Sequence, residues 1–446
     1  LPTEPPDPAH DTRPAWSLGT RILFRFTFCL LMSYALCCGH ETVFRKLPWI
    51  GLRLEVAFEY IFLVPARWLG QHYFHLTGAA AVIHWSAFAD RALDWIAAGL
   101  MLACALAATL VWSLIDEVPK TRRLAYPLLF EIMRWTLRIT LVISILWYGA
   151  IKIFPIQMES PSLAVLNERV GDTSPMTMLW TVLGMNRSYE ITCGVVETLS
   201  ALLLLFRRTA LAGALLAIVV LTNILLFDIF FDVAVRLYAF GLLLMALTLV
   251  VPDAHALLRF FFLREPAMST ATWGLPDAPR SLRAAALVFE VCLFLSAFKP
   301  IFGQERRQTA RELANERHPA TIAGQWHIDN STAGAEPLRG GNGEFITDVF
   351  LEPSGRINLR STDRRLWGGG DYDAAAHKLI AVAGMRGVQY NVSQPDPDHL
   401  TLTPTSGSGA DPTLSLTRVP LPSSYPLLDR IHEHSLHLVE EWGFLR

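Results

Sequence analysis

Apolar runs of about 20 residues recur along the first 300 positions, and short alternating runs replace them afterwards. A helix that crosses a bilayer needs about 20 mostly apolar residues. Seven stretches meet that requirement: about Leu18–Gly39, Leu93–Ile115, Trp135–Phe154, Ser188–Phe206, Thr209–Phe230, Val233–Val251 and Leu282–Phe302. From Ile322 onward, runs such as 345–351, 356–359, 378–382, 387–392 and 399–402 alternate apolar and polar positions and are separated by Gly, Pro, Asp and Asn, the pattern of short strands. Glu352-Pro353-Ser354-Gly355 carries a turn signal between the first two, predicting a hairpin. The pattern predicts an all-α membrane bundle of about seven transmembrane helices followed by a small antiparallel β domain, a sheet or a barrel.

Basic residues orient the spans. Arg13, Arg21 and Arg25 precede or begin the first, Lys120, Arg122 and Arg123 lie between the second and third, Arg207 and Arg208 between the fourth and fifth, and Arg259, Arg264, Arg280 and Arg283 between the sixth and seventh. With seven spans these regions share one side. Because positively charged loops stay cytoplasmic, the expected place is the inner (plasma) membrane, with the N-terminus cytoplasmic and the tail after Phe302 extracytoplasmic. The expected order is a disordered tail at 1–18, a transmembrane domain at 19–302, a stalk at 303–321 and a β-rich domain with a C-terminal helix at 322–446. Residues 40–90 are expected to form short helices on the outer interface, where their Trp residues are comfortable.

Composition narrows the class. The chain is 52% hydrophobic, and its net charge of -2 gives no global field that favours nucleic acid. The six cysteines all fall in apolar segments, with no disulfide framework or zinc spacing. His432, His434 and His437 lie in a stretch with helical spacing, but only 434 and 437 share a helix face, so no metal site is assigned.

Candidate chemistry lies inside the apolar runs. Charge in lipid is costly, so such residues face a protein interior or a watery cavity. Asp90 and Asp94 are one turn apart at the start of the second stretch, Lys152 and Gln157 lie at the outer end of the third, and Glu190 and Glu197 in the outer half of the fourth. Asn223, Asp228, Asp232 and Arg236 surround the turn between the fifth and sixth, with i, i+4 spacing that lets Asp232 and Arg236 pair if helix continues there. Buried ion pairs that hold helices in register explain such residues as readily as an outward polar pocket does. In the pocket reading, a desolvated Lys among carboxylates acts in proton transfer.

The runs Tyr148–Met158, Gly171-Asp172-Thr173-Ser174-Pro175-Met176 with Leu179-Trp180, Leu204–Thr209 and Thr222-Asn223, then Tyr238 and the stretch ending at Pro252-Asp253, resemble the long bacterial DoxX-like membrane proteins over roughly residues 19 to 265. Gly324-Gln325-Trp326 resembles the Gly-x-Trp that opens lipocalin-like barrels. The DoxX resemblance carries over Lys152, Gln157, Glu197, Asn223, Asp232, Arg236 and Tyr238, and His72 and His75 in the outer loop. The chain departs at Asp228, where Asn is expected, at Ala89-Asp90-Arg91 and at Ala234, so an identical ligand does not follow. The family is linked to membrane redox work. The resemblance therefore implies an accessory or scaffold subunit of a membrane redox or electron-transfer complex, in contact with lipid and other membrane subunits. The alternative is a quinone- or thiosulfate-linked oxidoreductase with Lys152, Glu197 and Asp232 as catalytic groups and Gln157, Asn223, Asp228, Arg236, Tyr238 and Asp94 around the substrate. No cofactor is required by the sequence; a quinone or a lipid is the molecule such a pocket suggests.

Overall fold

The computed structural model describes residues 16–37, 51–81, 90–116, 125–266 apart from 156 and 159, isolated positions between 281 and 303, 322–331, 338–339, 344–381 apart from 375, 388–405, and 412–425 apart from 424. The chain divides into two compact units: residues 1–150 with 193–299, and residues 151–192 with 300–446.

The helices are α1 (Leu18–Cys37), α2 (Gly51–His72), α3 (Ala92–Asp116), α4 (Pro127–Ile153), α5 (Leu163–Leu166), α6 (Pro175–Met185), α7 (Arg187–Leu205), α8 (Ala210–Phe230), α9 (Arg236–Val250) and α10 (Ala254–Leu258). Among the described residues five helices are long and apolar enough to cross a membrane: α3, α4, α7, α8 and the continuous stretch Arg236–Leu263 that contains α9 and α10. They mark the chain as a membrane protein. The described residues account for five of the seven expected spans by length and apolarity. The first expected span forms the 20-residue helix α1, which is not among the five. The seventh lies largely outside the described residues, as do the tail, the stalk and the His432–His437 stretch. Within the 40–90 region the described residues form a 22-residue helix, α2, and a short 3-10 turn at Gly78–Ala81. Phe62, Leu63 and Ala66 of α2 pack with Ala97 and Met101 of α3.

The helical core is built by α1, α4, α7, α8 and α9 around Leu137, Leu141, Leu146, Leu204 and Met245. Small residues let the backbones approach. A Cβ on Gly213 would lie 2.5 Å from the Leu204 nitrogen and 2.8 Å from the Leu203 carbonyl carbon, so only glycine lets the start of α8 meet the end of α7. The Ser200 hydroxyl donates across the same contact to the Gly213 carbonyl at 3.2 Å.

The β unit is a closed antiparallel barrel of eight strands in sequence order: β1 (Gly324–Ser331), β2 (Ile346–Leu351), β3 (Arg356–Ser361), β4 (Leu366–Asp373), β5 (Lys378–Ala381), β6 (Val388–Asp396), β7 (His399–Pro404) and β8 (Leu414–Val419). β8 returns to pair with β1, Gln325 opposite Val419 and Trp326 opposite Arg418, so no edge is left open. The expected hairpin joins β2 to β3, with the Glu352 amide donating to the Arg356 carbonyl at 2.8 Å and Gly355 at φ 80°, a conformation that favours glycine. Side chains alternate, as at Ile357 and Leu359 of β3, Leu400 and Leu402 of β7, and Leu414 and Leu416 of β8. The inward set packs around Trp326 and Tyr390 into a continuous apolar core.

Candidate functional site

The helical unit holds two polar nodes. In the first, α9 begins where α3 begins. The Asp90 carboxylate accepts the Arg236 amide at 2.7 Å and the Leu237 amide at 3.0 Å, filling two of the orphan N–H groups at the start of α9. The Arg236 guanidinium donates to the same carboxylate at 2.9 Å and pairs with Asp232 at 3.2 Å. Asp90 and Asp232 both adopt positive φ, 52° and 54°, which Asp tolerates better than most residues. Asp232 and Arg236 thus pair as their spacing suggested, although the helix starts only at Arg236. Asp90 is the residue the sequence reading undervalued: its side chain is 1% exposed beneath Arg236, whereas that of Asp232 is 73% exposed.

The other expected site residues of this unit lie on α3, α7, α8 and α9. Asp94 is buried and pairs with Arg91 at 3.0 Å, turned to its own helix start. Glu197 on α7 and Asp228 near the end of α8 are buried. Tyr238 packs in the core with its ring centroid 5.9 Å from that of Tyr148. Asn223 is exposed on α8. His72 and His75 are exposed as well; His72 stacks on Trp68 and its Nδ1 bonds the Trp68 carbonyl at 2.8 Å.

The second node centres on Arg25, which served above only to orient the first span. Arg25 is 0% exposed. Its guanidinium donates to Asp116 at 2.8 Å, to the Ser113 hydroxyl at 2.8 Å and to the Tyr126 hydroxyl at 2.7 Å, inside a frame of Trp16, Phe24, Trp112 and Phe130. On α4, Arg134 and Arg138 continue the Phe130 stripe at steps of four. Both are buried. Arg134 pairs with Glu131 at 3.2 Å. Arg138 donates to the Leu205 carbonyl at 2.9 Å, satisfying the C-terminal end of α7, where a cation is favoured.

The barrel unit includes residues 151–192, hence Lys152, Gln157 and Glu190. Glu190 accepts the Met158 amide at 3.0 Å, and the Lys152 ammonium acts on it electrostatically. Lys152 and Glu190 are 6% and 1% exposed. Gln157 Oε1 and Glu190 Oε2 are buried, with no hydrogen-bond partner among the described residues. The Gln157 carbonyl accepts the Trp180 indole N–H at 3.2 Å. This segment docks on the barrel. Glu352, buried at the end of β2, accepts the Leu163 amide at the start of α5 at 2.8 Å. Asn167 donates to the Tyr425 hydroxyl at 2.7 Å, and Asp172 pairs with Arg364 at 2.9 Å.

Burial pushes the Glu352 carboxyl above its ordinary range, against the opposing bonds from Leu163 and Asn358, and burial raises Glu168 in the same way. A carboxyl raised in the docked state binds its proton more tightly there than when released. Docking therefore tightens as pH falls from neutral towards the usual glutamate range, and loses that increment as pH rises through the raised value. Hydrogen exchange over residues 160–173 in the full chain, compared with Glu352→Gln at each pH, is expected to show protection growing in the wild type between about pH 7 and about pH 5, while the Glu352 contribution vanishes in the variant. Glu352→Ala, which removes the acceptor, is expected to weaken docking by about 1–3 kcal/mol. Identical exchange in all three proteins would refute the latch.

No family model matches the chain, and no solved structure does. An uncharacterized protein of Bacillus subtilis, YwoB, is 35% identical over 85 residues, 19% of this chain and 55% of that protein. The chain thus spans about half the length of the curated relative it matches. The match does not assign a family. Among the described residues no group of three or more His, Cys, Asp or Glu could hold a metal ion.

Proposed function

We propose that this membrane protein is a DoxX-like accessory or scaffold subunit of a membrane redox or electron-transfer complex, embedded in the inner membrane with its barrel extracytoplasmic. The observation that carries the reading is the docking of residues 151–192 onto a barrel whose interior is filled by its own side chains. A filled barrel offers its outer surface, not a lumen, to a partner, and the clamped segment ties that surface to Lys152, Gln157 and Glu190. The redox setting rests on the resemblance, and the orientation on the basic residues, of which Arg208, Arg259 and Arg264 are exposed.

The test is isolation of the full chain from its native membrane in mild detergent, with native electrophoresis and cross-linking mass spectrometry. A second protein cross-linked to the barrel or to residues 160–186 is the expected result. Particles that contain this chain and nothing else would reject the accessory role.

A quinone- or thiosulfate-linked oxidoreductase is the second reading, favoured by the acceptor atoms of Gln157 and Glu190 beside Lys152, unpartnered among the described residues. An ammonium there is suited to hold a carbonyl or sulfonate oxygen, and the acceptors a hydroxyl. Solvent extraction of purified protein is then expected to release a quinone, and Lys152→Ala to lose it. Quinone-free wild-type protein that also binds no thiosulfate would end this reading.

A further inference from the structure

We infer that the outward face of α8 is a homodimer seam, built so that Asn223 meets Asn223 of a second copy. α8 buries Gly213, Ala214, Ala217, Leu221 and Asp228 against its own bundle. Its other face carries Ala212, Leu216, Val219, Asn223, Leu226 and Phe230, at alternating steps of four and three. That is the 3.5-residue repeat of a two-helix seam, and Asn223 occupies an a position in it. Among the described residues the face is open: Val219 is 66%, Leu226 46% and Phe230 73% exposed. Asn223 is exposed too.

The amide decides what the face is for. α8 has the highest hydropathy of the five candidate spans, 2.5. A side chain with two donors and an acceptor gains nothing from lipid on that surface, whereas an amide on a facing helix satisfies it. The face bears no charge that would select a charged partner. Two copies related by a twofold axis place the same amide opposite itself, each donating once and accepting once, and the apolar positions on either side close around the pair. A single Asn at an a position also sets register and favours two strands. Asn223 thereby leaves the list of pocket residues and becomes a recognition group. This holds whether or not the barrel recruits other subunits.

The test uses the full chain with a donor or acceptor fluorophore at its C-terminus, reconstituted together in liposomes over a range of protein-to-lipid ratios. Energy transfer above the random-encounter level is expected for the wild type. Asn223→Leu, which keeps the size and makes the surface more apolar, is expected to shift the association midpoint roughly threefold to thirtyfold towards monomer. Leu226→Ala is expected to weaken association, and Asn223→Gln to retain part of it. Leu110→Ala, on the exposed face of α3, should leave it unchanged. Random-level transfer at every density would overturn the proposal and leave lipid as the occupant. So would equal midpoints for wild type and Asn223→Leu, or a foreign helix cross-linked at position 223 in place of a second copy.

Discussion

Asp116→Ala is expected to destabilise the helical unit by about 3–5 kcal/mol, because it strands a fully buried guanidinium. Arg25 has no water to fall back on. Its Nη2 is held by the Asp116 carboxylate at 2.8 Å, and the remaining donors go to Ser113 and Tyr126. Removing the carboxylate leaves a positive charge among Phe24, Trp112 and Tyr126, with only neutral hydroxyls to meet it. Removing both charges has a different outcome. Replacing the pair by apolar residues, Arg25→Met with Asp116→Leu, is expected to restore most of the stability, since a buried pair repays little more than its own desolvation. Thermal unfolding of the full chain in nanodiscs, followed through tryptophan fluorescence, measures both. A single variant within about 0.5 kcal/mol of the wild type would show that the node is solvated and that the burial argument fails.

Trp326→Ala is expected to cost the barrel about 3–5 kcal/mol. Trp326 is 0% exposed at the centre of the barrel core. Its indole N–H donates to the Ile322 carbonyl at 2.8 Å, and the Arg418 guanidinium lies over its ring at 4.3 Å. Arg418 also donates to the carbonyls of Ala323 at 3.0 Å and Pro397 at 2.9 Å. The Trp–Arg stack therefore ties the first strand, the last strand and the β6–β7 turn. A cavity the size of an indole would open beneath a guanidinium that has lost its aromatic face. Trp326→Phe should retain much of the packing. Trypsin cleavage within 322–425 of the full chain is expected to accelerate strongly for the alanine variant and modestly for the phenylalanine variant. Cleavage as slow as in the wild type would mean that the barrel closes without this residue.

The strands that could be read from the sequence are those whose own residues favour extension. β2, β3, β5, β6 and β7 carry the β-branched and apolar residues of short strands, and Glu352-Pro353-Ser354-Gly355 marks the hairpin. β4 was not legible. Its Gly368-Gly369-Gly370 run lowers strand propensity, and the reason for the glycine is tertiary: a Cβ on Gly369 would lie 2.8 Å from Leu359 and 2.9 Å from Ile357. β8 follows a run of Gly and Ser and shows its alternation in only six residues. The site was less legible than the fold. Asp232 with Arg236 followed from spacing, but Asp90, which caps α9, is 146 positions away from Arg236 in sequence. Arg25 and Asp116 are 91 positions apart.

By itself the sequence determined that apolar runs make membrane-spanning helices, that a β domain follows, and that charge is spent inside the apolar part. Those properties are local, set by the length and period of hydrophobic positions. Only the tertiary structure decided that the barrel closes and is filled, that residues 151–192 belong with it, that Arg25 is interior and that Asn223 is exterior. Each of these depends on which helix or strand comes to lie beside a residue. No periodicity encodes that, because burial is settled by the neighbour across the contact and not by the neighbour along the chain.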